Sequence, residues 1–160
     1  MKIVHPLKPI YNAESKILIL GSFPSVKSRE NNFYYAHPQN QFWPILSDLF
    51  KETINDKEEF LLKHHIALFD VIKSCDIKGS ADQTIKNVKV NDIKAIIEKT
   101  KIKYIFTAGK KATNLYIKYL EKKTNIKPIY LPSTSPLFSK MKYEEKLEEY
   151  KKILYYLNLK

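Results

Sequence analysis

The side chains best suited to chemistry fall in one stretch of the chain, GSFPSVKSRENNFYYAHPQNQFWPIL, from Gly21 to Leu46. It follows the apolar run Ile17–Leu20 directly and concentrates rings, prolines and amides. Gly21 lets the chain turn sharply, and Pro24, Pro38 and Pro44 stiffen the long connection. Rings held on a rigid loop suit a flat ligand, because an aromatic face offers stacking area at low entropic cost. The amide of Asn40 both donates and accepts, so it can hold a water or read the edge of a base. The same residues also fit a purely structural role, with the rings in the core and Asn40 capping a helix that begins near Phe42.

Other familiar chemistries fail on inspection. In TAGKKAT the first glycine of a phosphate-loop pattern would fall at Tyr104, although the turn at Gly109 could still present backbone N–H groups to one phosphate. His64 and His65 are adjacent and point apart on a helix, which makes a poor metal site. There is no G-x-S-x-G elbow. Asp70, Asp76 and Asp82 follow the second apolar run without forming an obvious carboxylate pair, and Asp70 suits tying down a loop. A single cysteine, Cys75, excludes an internal disulfide and a cysteine-based zinc site. No metal site is expected.

Four short apolar runs read as strands: Ile17–Leu20, Ile66–Val71, Tyr104–Thr107 and Ile129–Leu131. They are continuous rather than alternating, as for strands covered on both faces. Helical patterns lie between them. Phe42, Ile45, Leu46, Leu49 and Phe50 share one face, with Pro44 near the start. Glu58–His64 is a weaker helix. Asp92 can cap a helix bearing Ile93, Ile96 and Ile97, and Lys110–Glu121 is a further one. The last helix carries Tyr143, Leu147, Tyr150, Leu154 and Leu157 on one face, its acids first and lysines later, in keeping with the helix dipole. Alternating strands and helices predict an α/β fold, a three-layer α/β/α arrangement around a central, mostly parallel four-stranded sheet. Such sheets bind ligands beyond the carboxyl ends of their strands. That brings GSFPS, KSCDIKGSADQT, AGKKAT and PSTSP together.

A chain of 160 residues, 44% of them apolar, is read as one domain, residues 1–160, with a sizeable core. Its apolar runs are far shorter than the roughly 20 residues of a membrane span. The start, MKIVHPLKPIYNAESK, lacks a signal-peptide pattern, so a cytoplasmic location is expected. The net charge of +11 is almost all lysine, since Arg29 is the only arginine among 28 basic residues. It is compatible with nucleic acid as a partner.

ILGSFPS, YYAHPQNQFWPIL and LPSTSP together resemble the uracil-DNA glycosylase superfamily, most of all its family 6, the hypoxanthine-DNA (deoxyinosine) glycosylases. DVIKSC with GSADQTI, and TAGKKA, resemble the intervening segments, so the likeness runs from about Lys16 to Leu137. Related mismatch-specific glycosylases carry Asn, and large uracil glycosylases Asp, where this chain has Phe23. The usual water-activating residue of the first motif is therefore missing. Family 6 shares that departure and gives the role to the Asn of the second element, here Asn40.

The resemblance implies a monofunctional enzyme of base-excision repair. It flips a base out of double-stranded DNA and hydrolyses its N-glycosidic bond without a cofactor. Asn40 would orient the water, and Phe42 would lie under the flipped base. Gly21, Ser22, Phe23, Pro24 and Ser25 would form the opposite wall, with Tyr34, Tyr35 and His37 lining the pocket or bracing the loop. Ser133, Thr134 and Ser135 would donate to phosphates. Leu137 and Phe138 follow, and there a large apolar side chain either wedges into the vacated stack or packs under the last helix. Arg29, Lys110 and Lys111 are expected on the DNA-facing rim, together with Lys27, Lys140 and Lys142. A monomer is expected. Uracil or mismatched thymine as substrate, a non-catalytic nucleic-acid-binding domain and an RNA-directed relative are the competing readings.

Overall fold

The computed structural model describes residues 2–159. Its centre is a four-stranded sheet of β2 (Ile17–Gly21), β3 (Ile66–Asp70), β6 (Tyr104–Ala108) and β7 (Pro128–Leu131), in the order β3-β2-β6-β7. Every pairing between these strands is parallel, and an isolated antiparallel bridge joins Ile10 to Leu68 at the β3 edge, so the sheet is mostly parallel, as expected. β2 and β3 are buried along their whole length, which is why both read as unbroken apolar runs. The sheet grows outward in opposite directions from the β2–β6 pair. Right-handed crossovers therefore place the connecting helices on opposite faces.

On one face, α2 (Phe42–Phe50) packs against α7 (Tyr143–Tyr150), and on the other α4 (Ile93–Glu98) packs against α6 (Glu121–Thr124). This is the expected three-layer α/β/α arrangement. Short side chains start several helices. Ser25 caps α1 (Val26–Asn31), Asp56 caps α3 (Lys57–Lys63), and Asp92 caps α4 as expected, each accepting a backbone N–H three residues on. The helix expected over Lys110–Glu121 is α5 (Lys110–Tyr119), and a break at Leu120 separates it from α6. The last helix is likewise interrupted at Lys151, between α7 and α8 (Lys152–Leu157). Its apolar stripe runs through the break unchanged, so the sequence pattern carries no mark of it.

A second sheet went unread in the sequence. β1 (Lys2–Val4), β4 (Ile72–Asp76) and β5 (Lys86–Val90) form an antiparallel three-stranded sheet in the order β1-β4-β5. The second apolar run ends as a strand at Asp70, and the start of the segment expected to be loop, Lys73 to Asp76, belongs to strand β4. β1 and β5 are mostly exposed and lysine-rich, so neither shows an apolar signature. The turn between the two sheets is fixed by Val71 and Ile72, whose N–H groups donate to the carbonyls of Gly21 and Ser22. Asn91 clamps the same corner, its Nδ2 donating to the carbonyls of Asp70 and Ile72.

Buried tyrosines tie loops to the core through their hydroxyls. Tyr34 donates to the Lys8 carbonyl, Tyr116 to Ile126 and Tyr150 to Pro132, at 2.6, 2.7 and 2.6 Å. Burial pushes all three phenol pKa values up. A phenol held protonated in the folded state but free to ionise near pH 10 when unfolded favours folding below that pH and loses the benefit above it. Stability, measured as a urea midpoint, should therefore hold up to about pH 9 and fall steeply from about pH 10. Tyrosinate absorbance from these side chains should appear only with unfolding.

Candidate active site

The candidate groups lie on the segments after β2, β4, β6 and β7 and on the Asn40 loop between α1 and α2. Ser22, just after β2, donates from Oγ to Asp82 Oδ1 at 3.0 Å. Two further bonds hold the loop around Asp82 against α1: Val26 N donates to Ser80 Oγ at 2.9 Å, and Arg29 Nη2 donates to the Gly79 carbonyl at 2.7 Å. On the far side, Gly109 begins α5 with a φ of 93°. A side chain there would press on Ser133, at 3.4 Å from its Cβ. Gln41 N donates to the Thr134 carbonyl at 3.1 Å, joining the Asn40 loop to the PSTSP loop.

Gly21 is the tightest point. A Cβ there would lie 2.5 Å from Asp70 Oδ1 and 3.0 Å from Tyr35 Oη. Asp70 is buried, and its Oδ2 lies 2.8 Å from His5 Nε2, a ring whose side chain is itself only 2% exposed. His5 in turn sits edge-on to Phe23 and Phe69. His5 was invisible as a site-related residue because it reaches Asp70 from the other sheet. Asp70 ties the two sheets together, in line with a structural role. Asp82, by contrast, lies at the exposed lip. Crowding by the surrounding protein raises its pKa, while the Ser22 hydrogen bond and the charge of Lys111 oppose that shift.

Asn40 occupies the entrance to α2. Its Oδ1 accepts from Phe42 N at 2.9 Å and its own N–H donates to the His37 carbonyl at 2.9 Å. The N-cap of α2 is Gln41, without a side-chain cap bond, so Asn40 is not the cap; it closes an Asx turn just before the helix. A carbonyl oxygen has a second lone pair, and Nδ2 has no hydrogen-bond partner among the described residues. The turn holds the amide still while leaving donors and an acceptor for a ligand.

The neighbouring rings divide their roles. Tyr34 braces: its hydroxyl bonds Lys8, and its carbonyl accepts from Trp43 Nε1 at 3.0 Å. His37 Nδ1 accepts from Gln39 N at 3.0 Å, and the residue is half-buried. Phe23 and Pro24 are buried, and Ser25 is occupied as the α1 cap. Phe42 is fully buried, so the ring expected beneath a flipped base has no exposed face. Its neighbour Tyr35 lies parallel to it, with centroids 4.0 Å apart.

In the PSTSP loop, Ser133 Oγ accepts from Ser135 N and Ser135 Oγ from Leu137 N, both at 3.1 Å. Both hydroxyl hydrogens remain available to donate. Thr134 Oγ1 is buried without a partner. Leu137 is 70% exposed, whereas Phe138 is half-buried beneath the Lys146 ammonium at 5.3 Å. Leu137 therefore projects and Phe138 packs toward the last helix. Lys110 is exposed and Lys111 half-buried, both in the first turn of α5. Arg29 is half-buried and engaged, its guanidinium 5.6 Å from the Phe23 ring centre.

Sequence reasoning missed Lys146. It is 3% exposed, and no carboxylate among the described residues pairs with it. Its Nζ donates to Gln41 Oε1 at 2.8 Å and to the Phe138 carbonyl at 3.1 Å. Burial lowers its pKa. One cation thus joins the Asn40 loop to the far end of the PSTSP loop. Only its place on the apolar stripe of the last helix, one residue before Leu147, hinted at burial.

The model of the uracil DNA glycosylase superfamily matches residues 8–158. The chain belongs to that superfamily and is a DNA glycosylase by family. Two curated relatives are named hypoxanthine DNA glycosylase. The Methanosarcina barkeri protein is 31% identical over 110 residues, 65% of this chain and 70% of its own length. The Methanosarcina acetivorans protein is 35% identical over 109 residues, 64% of this chain and 69% of its own length. The solution NMR structure of a candidate uracil DNA glycosylase from Methanosarcina acetivorans superposes with a TM-score of 0.81 at 28% identity. It covers 99% of this chain and 100% of its own.

The Lys146 clamp makes a local prediction. Lys146→Met should speed hydrogen exchange at the Gln41 amide, whose acceptor lies on the clamped loop, while Lys151→Ala leaves it unchanged. An unaltered Gln41 exchange rate would mean that the two loops hold each other without the lysine.

Proposed function

We propose that this protein releases hypoxanthine from deoxyinosine in double-stranded DNA by hydrolysing the N-glycosidic bond. The observation that carries the reading is Asn40. It is fixed by its bond to Phe42 N, retains unengaged amide groups, and adjoins Gln41, whose N–H ties this loop to the PSTSP loop at Thr134. The purine preference is supported by the names of the two relatives and by the resemblance to family 6.

In this reading the target nucleotide rotates out of the duplex, which costs a few kcal/mol of lost stacking and pairing that the pocket must return. The bond from C1′ to N9 breaks with its electron pair leaving on the purine, and positive charge develops on the sugar. Asn40 holds a water against C1′, its Oδ1 accepting one water hydrogen so that the oxygen lone pair faces the sugar. The water's surplus proton passes to the departing purine. An amide is a weak base, but an oxocarbenium-like centre requires a placed water rather than a deprotonated one. The DNA phosphates flanking the site stabilise the cationic sugar. Ser133 and Ser135 hold those phosphates in place.

A panel of duplexes carrying hypoxanthine, uracil, xanthine or a G·T pair, scored for abasic-site formation, tests the substrate. Hypoxanthine should be released fastest. Asn40→Ala should abolish release while duplex affinity stays within several-fold, since affinity comes mainly from phosphate contacts. Robust uracil release beside intact deoxyinosine would instead place the protein among the uracil-directed enzymes. Near-normal single-turnover release by Asn40→Ala would remove Asn40 from the chemistry.

The rim of the cleft yields a second expectation. Neutralising Lys110 and Lys111 together should weaken binding to all duplexes alike. It should also flatten the dependence of log affinity on log salt by up to about 2, at roughly 0.9 per lost phosphate contact. Lys151 and Lys152 pair with Glu148 and Glu149 and should matter little. The reverse pattern would put the DNA on another face.

A further inference from the structure

Three carboxylates follow the second apolar run, and the structure puts them to different uses. Asp70 is buried against His5, and Asp76 accepts from Asn87 Nδ2 at 2.6 Å. Asp82 stands at the lip of the cleft. Its Oδ1 accepts from Ser22 Oγ at 3.0 Å, and its Oδ2 has no hydrogen-bond partner among the described residues. The bonds from Val26 to Ser80 and from Arg29 to Gly79 fix the turn that leads to it. Lys111, in the first turn of α5, acts on it by charge, yet no ion pair among the described residues joins the two. The carboxylate is thus oriented through one oxygen and free to accept through the other.

We propose that Asp82 reads the Watson–Crick edge of the extruded base, its Oδ2 accepting the ring N–H that deamination creates. Adenine N1 carries a lone pair, whereas the same nitrogen of hypoxanthine carries a hydrogen beside a carbonyl. Cytosine N3 and uracil N3 differ in the same way. An ionised carboxylate only accepts, so it bonds the deaminated base and repels the lone pair of the intact one. The Ser22 hydroxyl and the charge of Lys111 both favour the ionised form against the desolvation that opposes it. Guanine and thymine carry the same N–H, so their exclusion falls to other groups. The inference rests on the glycosylase reading above, and not on the choice of hypoxanthine over uracil.

Affinity for duplexes carrying one uncleavable 2′-fluoroarabino nucleotide tests it, with hypoxanthine, adenine, uracil or cytosine as the base. The wild type should bind the hypoxanthine duplex more tightly than the adenine duplex. Asp82→Ala should weaken binding to the hypoxanthine duplex by roughly 10- to 150-fold, the worth of one hydrogen bond to a charged group, and leave the adenine duplex unchanged or slightly tighter. Comparing the two ratios between wild type and variant cancels the unequal strength of the base pairs. Single-turnover release of hypoxanthine should fall in the same proportion. Thermal melts confirm that the variant is folded, and Asp82→Ser replaces Asp82→Ala if the latter unfolds. Equal losses on both duplexes would make Asp82 only a tie to Ser22, and an undiminished hypoxanthine preference would take it away from the base; either overturns the proposal. Should the wild type release no hypoxanthine, the substrate reading falls by itself, and uracil against cytosine decides for Asp82. A uracil preference that Asp82→Ala loses supports the reading of the N–H, and one that is kept, or absent from the wild type, overturns it.

Discussion

The end of strand β2 is where the architecture has least freedom. No side chain fits at Gly21, because the Asp70 carboxylate and the Tyr35 hydroxyl already occupy the space a Cβ would take. That crowding follows from the parallel pairing of Gly21 with Asp70, and it forces the two sheets, the first loop and the ring stack to meet at one point. Asp70 reaches across to His5, and His5 packs on Phe23 and Phe69. Tyr35 extends the same contact to Phe42 and so to α2. A buried carboxylate and a buried imidazole are costly to desolvate, and their mutual hydrogen bond is what makes the burial tolerable.

From that corner the site is assembled by polar ties between loops rather than by apolar packing. Ser22 to Asp82, Val26 to Ser80 and Arg29 to Gly79 fasten the segment after β4. Gln41 to Thr134 and Lys146 to Gln41 and Phe138 fasten the PSTSP loop. Loops carry the reactive groups because their backbones are free to approach a ligand, and a rigid scaffold sets their positions. Here the scaffold's contribution is indirect: α7, far along the chain, supplies the cation that joins two of the loops. The chain's single arginine is used in the same way, as a fork between α1 and the Gly79 turn.

The lysines differ in how they are engaged. Lys151 and Lys152 of the last helix pair with Glu148 and Glu149 within a turn, and such exposed pairs contribute little to stability. Lys110 and Lys111 stand at a strand exit beside the convergent loops. In the proposed function a rim of lysines would hold a polyanion as a set of point charges, without the bidentate base reading that arginine performs. That division would suit recognition of the base inside the pocket and not in the groove.

The sequence alone determined the α/β class, the four parallel strands and the family. Buried parallel strands leave unbroken apolar runs, and the GSFPS, N-x-FW and PSTSP strings are local. Asn40 was legible for the same reason, both as a helix-entry residue and as a candidate for holding water. The tertiary structure decided the rest. The exposed strands β1 and β5 leave no apolar signature, so the second sheet, and His5 with it, was hidden. Lys146 looked like one more lysine on a helix rich in them, because burial is a property of its neighbours and not of its own type. The relation between Phe42 and Tyr35 depends on a left-handed backbone at position 35, which glycine or asparagine would advertise and tyrosine does not. Which of the two stacked rings stays partly exposed is settled only when the loop is folded back onto α2.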